Sequence, residues 1–287
     1  MLKNILVAFS LLIIVSLNLT AESLRIESSD LVKNLNSYKI LDTRTPKLYK
    51  EGHIKGALNF PIDLTYEDKK QDGKLTSPVK MQNILRKLGL DLKSKIVVYD
   101  EGTFFDSARL FWALEVYGFT NVKLLNLGYN DWNQSDLPTS TNIEEPTQSN
   151  YIAEINRKRL ATKFSTQIAT KNPNQIIIDA RPKKAYLGHV SSASRYGHIP
   201  KALNFPASHN INYTQENTKL KAIDTLKDVY KNIDKTKKIV LYCAVGRISA
   251  TNYFALRELD YDVSNYDASW KEWGNDLNLP IVNLTKE

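Results

Sequence analysis

Residues 239–254 read IVLYCAVGRISATNYF and contain Cys243, the only cysteine of the chain. An apolar run typical of a buried strand ends at this cysteine, and a helical pattern begins near Ser249. Gly246, between them, can adopt the left-handed conformation that a tight loop needs. A strand, a tight loop and a helix in this order indicate an α/β sheet, in which ligands bind beyond the carboxyl ends of the strands.

This position allows two interpretations of Cys243. Loop N–H groups that converge on the sulfur, the start of the following helix and the nearby Arg247 would favour a reactive thiolate. The alternative is a small, inert apolar side chain at the end of a strand, where unpaired cysteines often lie. Arg247 itself either points into the pocket, where it would attract an anion, or points to solvent.

The second half of the chain repeats the first. Three segments recur: ILDTRTPKLYKEGHIKGALNFPID (40–63) in IIDARPKKAYLGHVSSASRYGHIPKALNFPAS (177–208), with ALNFP identical in both, KIVVYD (95–100) in KIVLYC (238–243), and NLGYNDW (126–132) in DASWKEW (267–273). A period this long indicates two tandem domains rather than a solenoid. The second copy carries an eight-residue insertion within LGHVSSASR, and Asp100 of the first copy stands where Cys243 stands.

Short apolar runs alternate with helical patterns in each copy, which predicts an α/β fold: two tandem domains, each a mainly parallel sheet with helices on both faces. The predicted domains are 22–136 and 151–287, joined by a linker at 137–150 that is rich in Pro, Ser, Thr and Asn. Residues 1–21 match a secretory signal peptide with cleavage after Ala21. An uncleaved anchor is the alternative, but the apolar stretch is short for a membrane span.

The composition supports a soluble, exported protein. Of 287 residues, 42% are hydrophobic and 24% are charged, with a formal net charge of +8. Basic residues are spread along the chain without interleaved aromatic residues, so we expect no nucleic-acid partner and, after cleavage, no stable membrane association. We expect a periplasmic or secreted monomer. A mildly basic surface suits small anionic substrates.

These features together resemble the tandem-domain rhodanese sulfurtransferases, over nearly all of the mature sequence. The motifs that carry the resemblance are DTR…EGHIKGALNFP in the first copy, and DAR…YGHIPKALNFP, LYCAVGR and YDASWKEWG in the second. The resemblance implies that the second domain is catalytic and that the first is a structural partner. It further implies that Cys243 attacks the outer sulfur of a small anionic donor such as thiosulfate and becomes a persulfide. A thiol or cyanide then accepts the sulfur, without a metal or another cofactor.

The loop after the cysteine departs from the family pattern. Thiosulfate enzymes usually carry two basic residues there, whereas Ala244 and Val245 of this chain are neutral. Mercaptopyruvate enzymes also carry a small neutral pair, but usually with Ser rather than Val at the second position. Ile248 replaces a hydroxyl or an arginine, and Ser249 is the candidate substitute. The predicted site therefore consists of Cys243 as nucleophile and a persulfide-binding loop made of Ala244, Val245, Gly246, Arg247, Ile248 and Ser249.

The arginine that binds substrate in the family aligns with Ala185. Lys184 is adjacent to it and Arg195 lies in the insertion, so both are candidates for the missing charge. The donor therefore stays open between thiosulfate and 3-mercaptopyruvate.

Two functions other than sulfur transfer are compatible with a cysteine at the end of a strand. A phosphatase of the same fold needs an arginine six residues after the cysteine, where this chain has Ser249. A periplasmic sulfur carrier or a silent binding protein is the alternative from another class.

His53 and His198 recur in matching positions of both copies, so a structural role is expected for them. The same holds for the Asp-x-Arg pairs that begin at Asp42 and Asp179.

Overall fold

The computed structural model describes residues 23–68, 72–213 and 218–285, and the predicted signal peptide lies outside them. The first half contains strands β1 (Arg25–Ile26), β2 (Lys39–Asp42), β3 (His53–Ile54), β4 (Ala57–Asn59), β5 (Ile96–Tyr99), β6 (Val122–Leu125) and β7 (Thr139–Ser140). Five of these form a parallel sheet in the order β1-β6-β5-β2-β4. Strand β7 pairs antiparallel with β3, so the predicted linker at 137–150 contains two residues that belong to a strand pair.

The second half repeats this topology. Its strands are β8 (Leu160–Ala161), β9 (Gln175–Asp179), β10 (Leu203–Asn204), β11 (Ile211–Tyr213), β12 (Thr218–Leu220), β13 (Lys238–Tyr242) and β14 (Val263–Tyr266). The parallel sheet runs β10-β9-β13-β14-β8, which is the order of the first sheet read from its other edge. Strands β11 and β12 form a separate antiparallel hairpin. The predicted fold class is confirmed.

Helices cover both sheets. They are α1 (Ser28–Lys33), α2 (Pro46–Glu51), α3 (Pro78–Lys87), α4 (Phe105–Val116), α5 (Tyr129–Gln134), α6 (Lys163–Ala169), α7 (Lys183–Leu187), α8 (Ile223–Tyr230), α9 (Ser249–Glu258) and α10 (Ser269–Trp273), with 3₁₀ turns at Leu35–Ser37, Ile62–Thr65 and Ala207–Asn210. All four residues of β5 are buried, because helices pack on both of its faces. No helix in the described part of the chain combines the length and the apolar character that a membrane crossing requires.

The two halves share a core through α4 and α9. Phe111 and Phe254 meet edge to face across this contact, with ring centroids 4.9 Å apart. Both helices are buried on nearly every side, polar residues included, and neither confines its apolar residues to one stripe. Arg257 closes the interface with an ion pair to Glu115 at 2.8 Å.

The interface is reciprocal. The backbone N–H of Leu75, in the first half, donates to Asp267 Oδ2 over 2.9 Å. The N–H of Leu220, which follows the same Lys-Leu pattern in the second half, donates to Asn126 Oδ1 over 2.9 Å. Because Asn126 and Asp267 occupy matching positions after β6 and β14, each half lays one segment over the loop region of the other.

Candidate active site

Cys243 directly follows β13, at the carboxyl end of the central strand, and is only 1% exposed. Its neighbours are the buried side chains of Ala180 and Ala207 and the partly buried Phe105 and Ile248. Phe105 belongs to the first half of the chain. The sulfur therefore lies at the junction of the two halves rather than on an open face of the second.

The loop takes the tight course that was predicted. Gly246 has a φ of +67°, and a Cβ there would lie 2.4 Å from the carbonyl oxygen of Asp267, so only glycine fits. The carbonyls of Cys243 and Ala244 accept from the N–H groups of Trp270 and Lys271, over 3.0 and 2.9 Å. Among the described residues, the N–H groups of 244–248 donate to no protein acceptor.

Ser269 holds the cysteine from the other side. Its Oγ accepts from the N–H of Cys243 over 3.1 Å and donates to the carbonyl of Tyr266 over 2.6 Å. Its φ of +53° is a left-handed conformation, which for a non-glycine residue costs about 1–3 kcal/mol. The two hydrogen bonds offset this cost, and the strain is located beside the reacting atom.

The matching loop of the first copy contains an anion. Asp100 Oδ1 accepts from the N–H groups of Gly102 and Phe104 over 2.8 and 3.1 Å. Its Oδ2 accepts from the N–H groups of Asp106 and Ser107, both over 3.2 Å, and from Ser107 Oγ over 3.1 Å. A carboxylate in the nucleophile's position thus binds five donors of its own loop, although burial raises the pKa of Asp100. This strand–loop–helix turn is built to bind a negative charge.

Arg247 has a partner that neither of the two predicted orientations included, and its direction toward pocket or solvent stays a prediction. It forms a two-pronged ion pair with Asp106 of the first half, with Nη2 to Oδ2 at 2.8 Å. The Asp106 carboxylate raises the pKa of Arg247. The one charge of the loop is therefore balanced by a carboxylate from the other half.

The structure does not bring Lys184 or Arg195 into the loop. Lys184 lies on α7 with its side chain exposed. Arg195 is held by carbonyls of the C-terminal segment, namely those of Trp273, Gly274, Asp276 and Leu279. Among the described residues, neither side chain has a hydrogen bond or an ion pair with residues 243–249. The assignment of either to the donor stays a prediction.

Arg109 is a site residue that sequence reasoning missed. It lies on α4 of the first half, is fully buried, and donates to the carbonyl of Val245 over 3.2 Å. Its Nε donates to Thr65 Oγ1 over 2.8 Å, and its guanidinium lies 3.6 Å above the ring of Tyr66. Burial raises the pKa of Tyr66 to about 12 and lowers the pKa of Arg109. The available signal was a lone cation inside the otherwise apolar run ARLFWAL.

The Asp-x-Arg pairs form ion pairs at the strand ends, as predicted, but the Nη1 atoms of the two arginines have different surroundings. Arg44 and Arg181 pair with Asp42 and Asp179 at 2.7 and 2.6 Å. Arg44 Nη1 also lies 3.7 Å from Glu101 Oε2.

Arg181 Nη1 has no such partner. It is buried and has no hydrogen-bond acceptor among the described residues. The residue that matches Glu101 is Ala244, since their carbonyls accept from the matching N–H groups of Asn130 and Lys271. The second copy therefore has a buried arginine donor without the acceptor that its counterpart has in the first copy.

The two histidines also have the structural role that was expected. His53 and His198 are buried and stack on Tyr49 and Tyr186, with centroids 3.9 and 3.8 Å apart.

Comparison with known proteins agrees with this architecture. The profile of the Rhodanese-like domain matches residues 27–135 and 160–276. The 3-mercaptopyruvate sulfurtransferase of Escherichia coli O157:H7 is 30% identical over 250 residues, which cover 85% of this chain and 88% of that protein. A putative thiosulfate sulfurtransferase of Haloferax volcanii is 28% identical over 244 residues, covering 81% of this chain and 84% of that protein.

A solved structure agrees as well. SseA from Escherichia coli, described as a 3-mercaptopyruvate sulfotransferase, superposes with a TM-score of 0.76 at 26% identity, over 87% of this chain and 99% of that chain. Both halves of the chain match the family profile and repeat one topology, and the resemblance seen in the sequence is confirmed. The chain belongs to the rhodanese family, with one rhodanese-like domain on each side of residues 136–159.

Proposed function

We propose that the protein is a sulfurtransferase that carries sulfur as a persulfide of Cys243. The observation that carries the proposal is the pair of matching loops. The first copy binds the Asp100 carboxylate through five loop donors, and the second copy presents a cysteine at the same position. Its own loop N–H groups, at 244–248, have no protein acceptor in the described chain. A persulfide extends the cysteine by one atom that bears the negative charge, which suits that loop.

With thiosulfate as donor, the reaction has two displacements. The Cys243 thiolate uses its electron pair to form a bond to the outer sulfur of thiosulfate. The bond between the two sulfurs of the donor breaks, and its electron pair leaves with sulfite. A thiolate or cyanide then attacks the terminal sulfur of the persulfide, and the electron pair of that S–S bond returns to Cys243.

A second candidate donor, 3-mercaptopyruvate, is favoured by the ion pair between Arg247 and Asp106. Because Asp106 balances the charge of Arg247, that arginine has little excess positive charge to offer a dianion such as thiosulfate. With mercaptopyruvate, the thiolate attacks the thiol sulfur and the carbon–sulfur bond breaks. Its electron pair leaves as the enolate of pyruvate, which takes up a proton.

Intact-mass measurement after incubation with each donor tests the proposal. We expect a gain of one sulfur atom on the wild-type protein and none on Cys243→Ser. The matched control is Asp100→Asn, which alters the loop of the first copy and should still gain the sulfur. If the wild-type protein gains no sulfur from either donor, the proposal is wrong. Loading without repeated turnover in the presence of a thiol acceptor would indicate a sulfur carrier.

Export is part of the proposal and rests on the N-terminal sequence. A mature chain that begins at Glu22 would be periplasmic or secreted, where a single unpaired cysteine has no partner within the chain. N-terminal sequencing of the protein from its native host should give Glu22 as the first residue. Detection of residues 1–21 in the mature protein would contradict cleavage.

A further inference from the structure

Cys243, Ser249 and Asn265 form a buried chain of polar groups. Ser249 Oγ lies 3.3 Å from Cys243 Sγ and 2.7 Å from Asn265 Oδ1. All three residues are buried. A hydroxyl carries one proton, so Ser249 can donate to the sulfur or to the amide oxygen, but not to both.

The orientation of Asn265 decides between these two. Its Nδ2 donates to the carbonyl of Gly246 over 3.1 Å. A carbonyl only accepts, so the amide nitrogen must face Gly246 and the amide oxygen must face Ser249. Asn265 Oδ1 can only accept as well, and the shorter contact with Ser249 therefore takes the hydroxyl proton. The lone pairs of Ser249 Oγ are left facing the sulfur.

The first copy lacks this amide. Asn265 pairs with Leu241, two residues before Cys243, in the register of β14 against β13. In the first sheet the residue in that register is Leu124, which pairs with Val98, two residues before Asp100. Leu124 is fully buried in an apolar core. A buried amide costs stability unless its hydrogen bonds are made, and only the copy that carries a nucleophile has one at this position.

The hydrogen bonds among Cys243, Ser249 and Asn265 are all made in two states of the cysteine, the thiol and the persulfide, but not in the free thiolate. In the thiol, S–H donates to Ser249 Oγ and Ser249 donates to Asn265. In the persulfide, the charge is on the outer sulfur and Sγ needs no donor. Only the free thiolate requires the Ser249 proton. If Ser249 donated this proton to the thiolate, Asn265 Oδ1 would have no donor. The free-energy cost would be a large fraction of that of an unmade buried hydrogen bond.

We propose that Asn265 is a positioning residue that reserves the Ser249 proton, so that the thiolate of Cys243 forms without this donor and attacks sulfur as a stronger nucleophile. A sulfur anion with fewer hydrogen bonds is more basic, and thiolate nucleophilicity rises with basicity. This role rests on the proposed function in one respect, that Cys243 is the nucleophile.

Other charged groups around the sulfur do not depend on Asn265. Arg109 and Tyr66 act on Cys243 from the first domain. Asp106 is paired with Arg247, and Asp267 accepts from the N–H of Leu75. None of these side chains hydrogen-bonds to Ser249 or Asn265 in the described chain. Their contribution to the surroundings of the sulfur should therefore be the same in wild type and in the Asn265 variants.

The test compares wild type with Asn265→Leu, which inserts the residue of the first copy. The readout is the rate of Cys243 alkylation by iodoacetamide against pH, on the resting full-length protein and without a sulfur donor. In the variant, Ser249 is free to donate to the thiolate. The midpoint of the profile should move to lower pH by up to about one unit. The plateau rate should fall by about threefold. An unchanged midpoint, or a shift to higher pH, overturns the proposal.

A second mutation separates positioning from packing. If Asn265 acts through the hydroxyl, Asn265→Leu should have no effect on the profile in a Ser249→Ala background. An equal shift in both backgrounds would overturn the proposal. Asn265→Ala, which removes the amide without adding volume, should give the same shift and covers the case in which leucine disturbs the fold. Ser107→Ala, which removes the matching hydroxyl of the first copy, is the control and should leave the profile unchanged.

Failure of the proposed function is distinguishable from failure of this inference. Alkylation reports proton placement whether or not the protein accepts sulfur. Intact mass after thiosulfate or mercaptopyruvate reports sulfur transfer whether or not Asn265 matters.

Discussion

Arg109 of the first domain donates to the carbonyl of Val245, in the cysteine loop of the second domain, over 3.2 Å. The residue of the second domain that matches Arg109 is Thr251, and it donates to the carbonyl of Phe104, in the loop of the first, also over 3.2 Å. Each domain therefore supports the loop of the other at a carbonyl. Of these two reciprocal bonds, only the one to the cysteine loop comes from a cation.

Although Arg109 lies in the first domain, its replacement should impair sulfur transfer at Cys243 in the second. Arg109→Met keeps an unbranched side chain in place of the aliphatic part of arginine but leaves the Val245 carbonyl and Thr65 without their donor. A loss of about 1–3 kcal/mol corresponds to a ten- to hundredfold fall in kcat/KM for the sulfur donor. The matched control is Thr251→Val, which removes the reciprocal bond and should change kcat/KM by less than about threefold. Equal losses in the two variants would show that the cation has no special role.

Ala244→Glu should make the second copy resemble the first. The new carboxylate would give Arg181 Nη1 the acceptor that Glu101 gives Arg44 at 3.7 Å. We expect a gain in unfolding free energy of up to about 1 kcal/mol. A negative charge beside the nucleophile should also slow loading by thiosulfate, most strongly at low salt.

The control for this variant is Ala244→Gln, which supplies an acceptor without a charge. Thermal unfolding and the rate of sulfur loading at two salt concentrations are the measurements. If Ala244→Glu loads sulfur at the wild-type rate at low salt, then residue 244 does not face the path of the donor.

Arg247 and Asp106 should behave as a coupled pair. Arg247→Ala leaves the Asp106 carboxylate unpaired near the sulfur, where it repels an anionic donor. The KM for thiosulfate should rise by roughly tenfold and the rise should shrink in high salt. In the double variant Arg247→Ala/Asp106→Asn most of the loss should be recovered, because the repelling charge is gone. A double variant as poor as Arg247→Ala would instead indicate that Arg247 contacts the donor directly.

His198 should make the stability of the protein depend on pH. Burial lowers the pKa of His198 below its ordinary value of 6.5. In the unfolded chain the histidine takes up a proton as the pH falls through 6.5, whereas the folded protein resists protonation. The unfolded state then binds more protons, so the free energy of unfolding falls as the pH drops.

The measurement is Tm between pH about 7 and about 5, for wild type and His198→Gln. The decrease in Tm toward acid should be smaller in the variant. An identical decrease in both proteins would assign the acid sensitivity to other groups.

Most of the fold could be predicted because its signals are local. Four-residue apolar runs such as 96–99 predict buried strands wherever they occur, and the repeated motifs predict that one topology occurs twice. The eight-residue insertion and the helix that begins at Ser249 were likewise visible in the order of residues. The pairing of Thr139–Ser140 with His53–Ile54 was not, since those residues carry no strand pattern of their own.

The sequence by itself determined where Cys243, the proposed nucleophile, stands and that the other copy has Asp100 in its place. A cysteine at the carboxyl end of a strand, followed by a loop glycine and a helix, specifies its surroundings through neighbours in the chain. The positive φ of Gly246 is a property of the loop and favours glycine on its own, whereas the Asp267 carbonyl that also excludes a Cβ there is brought in by the tertiary structure.

Only the tertiary structure decided which charges face the cysteine. Arg247 looked available, and its charge is balanced by Asp106 from the other domain. Arg109 was not singled out from the sequence, and it is buried against the loop. The use to which a charged or polar side chain is put depends on the acceptors that folding places beside it, and here those acceptors lie more than a hundred residues away in the chain.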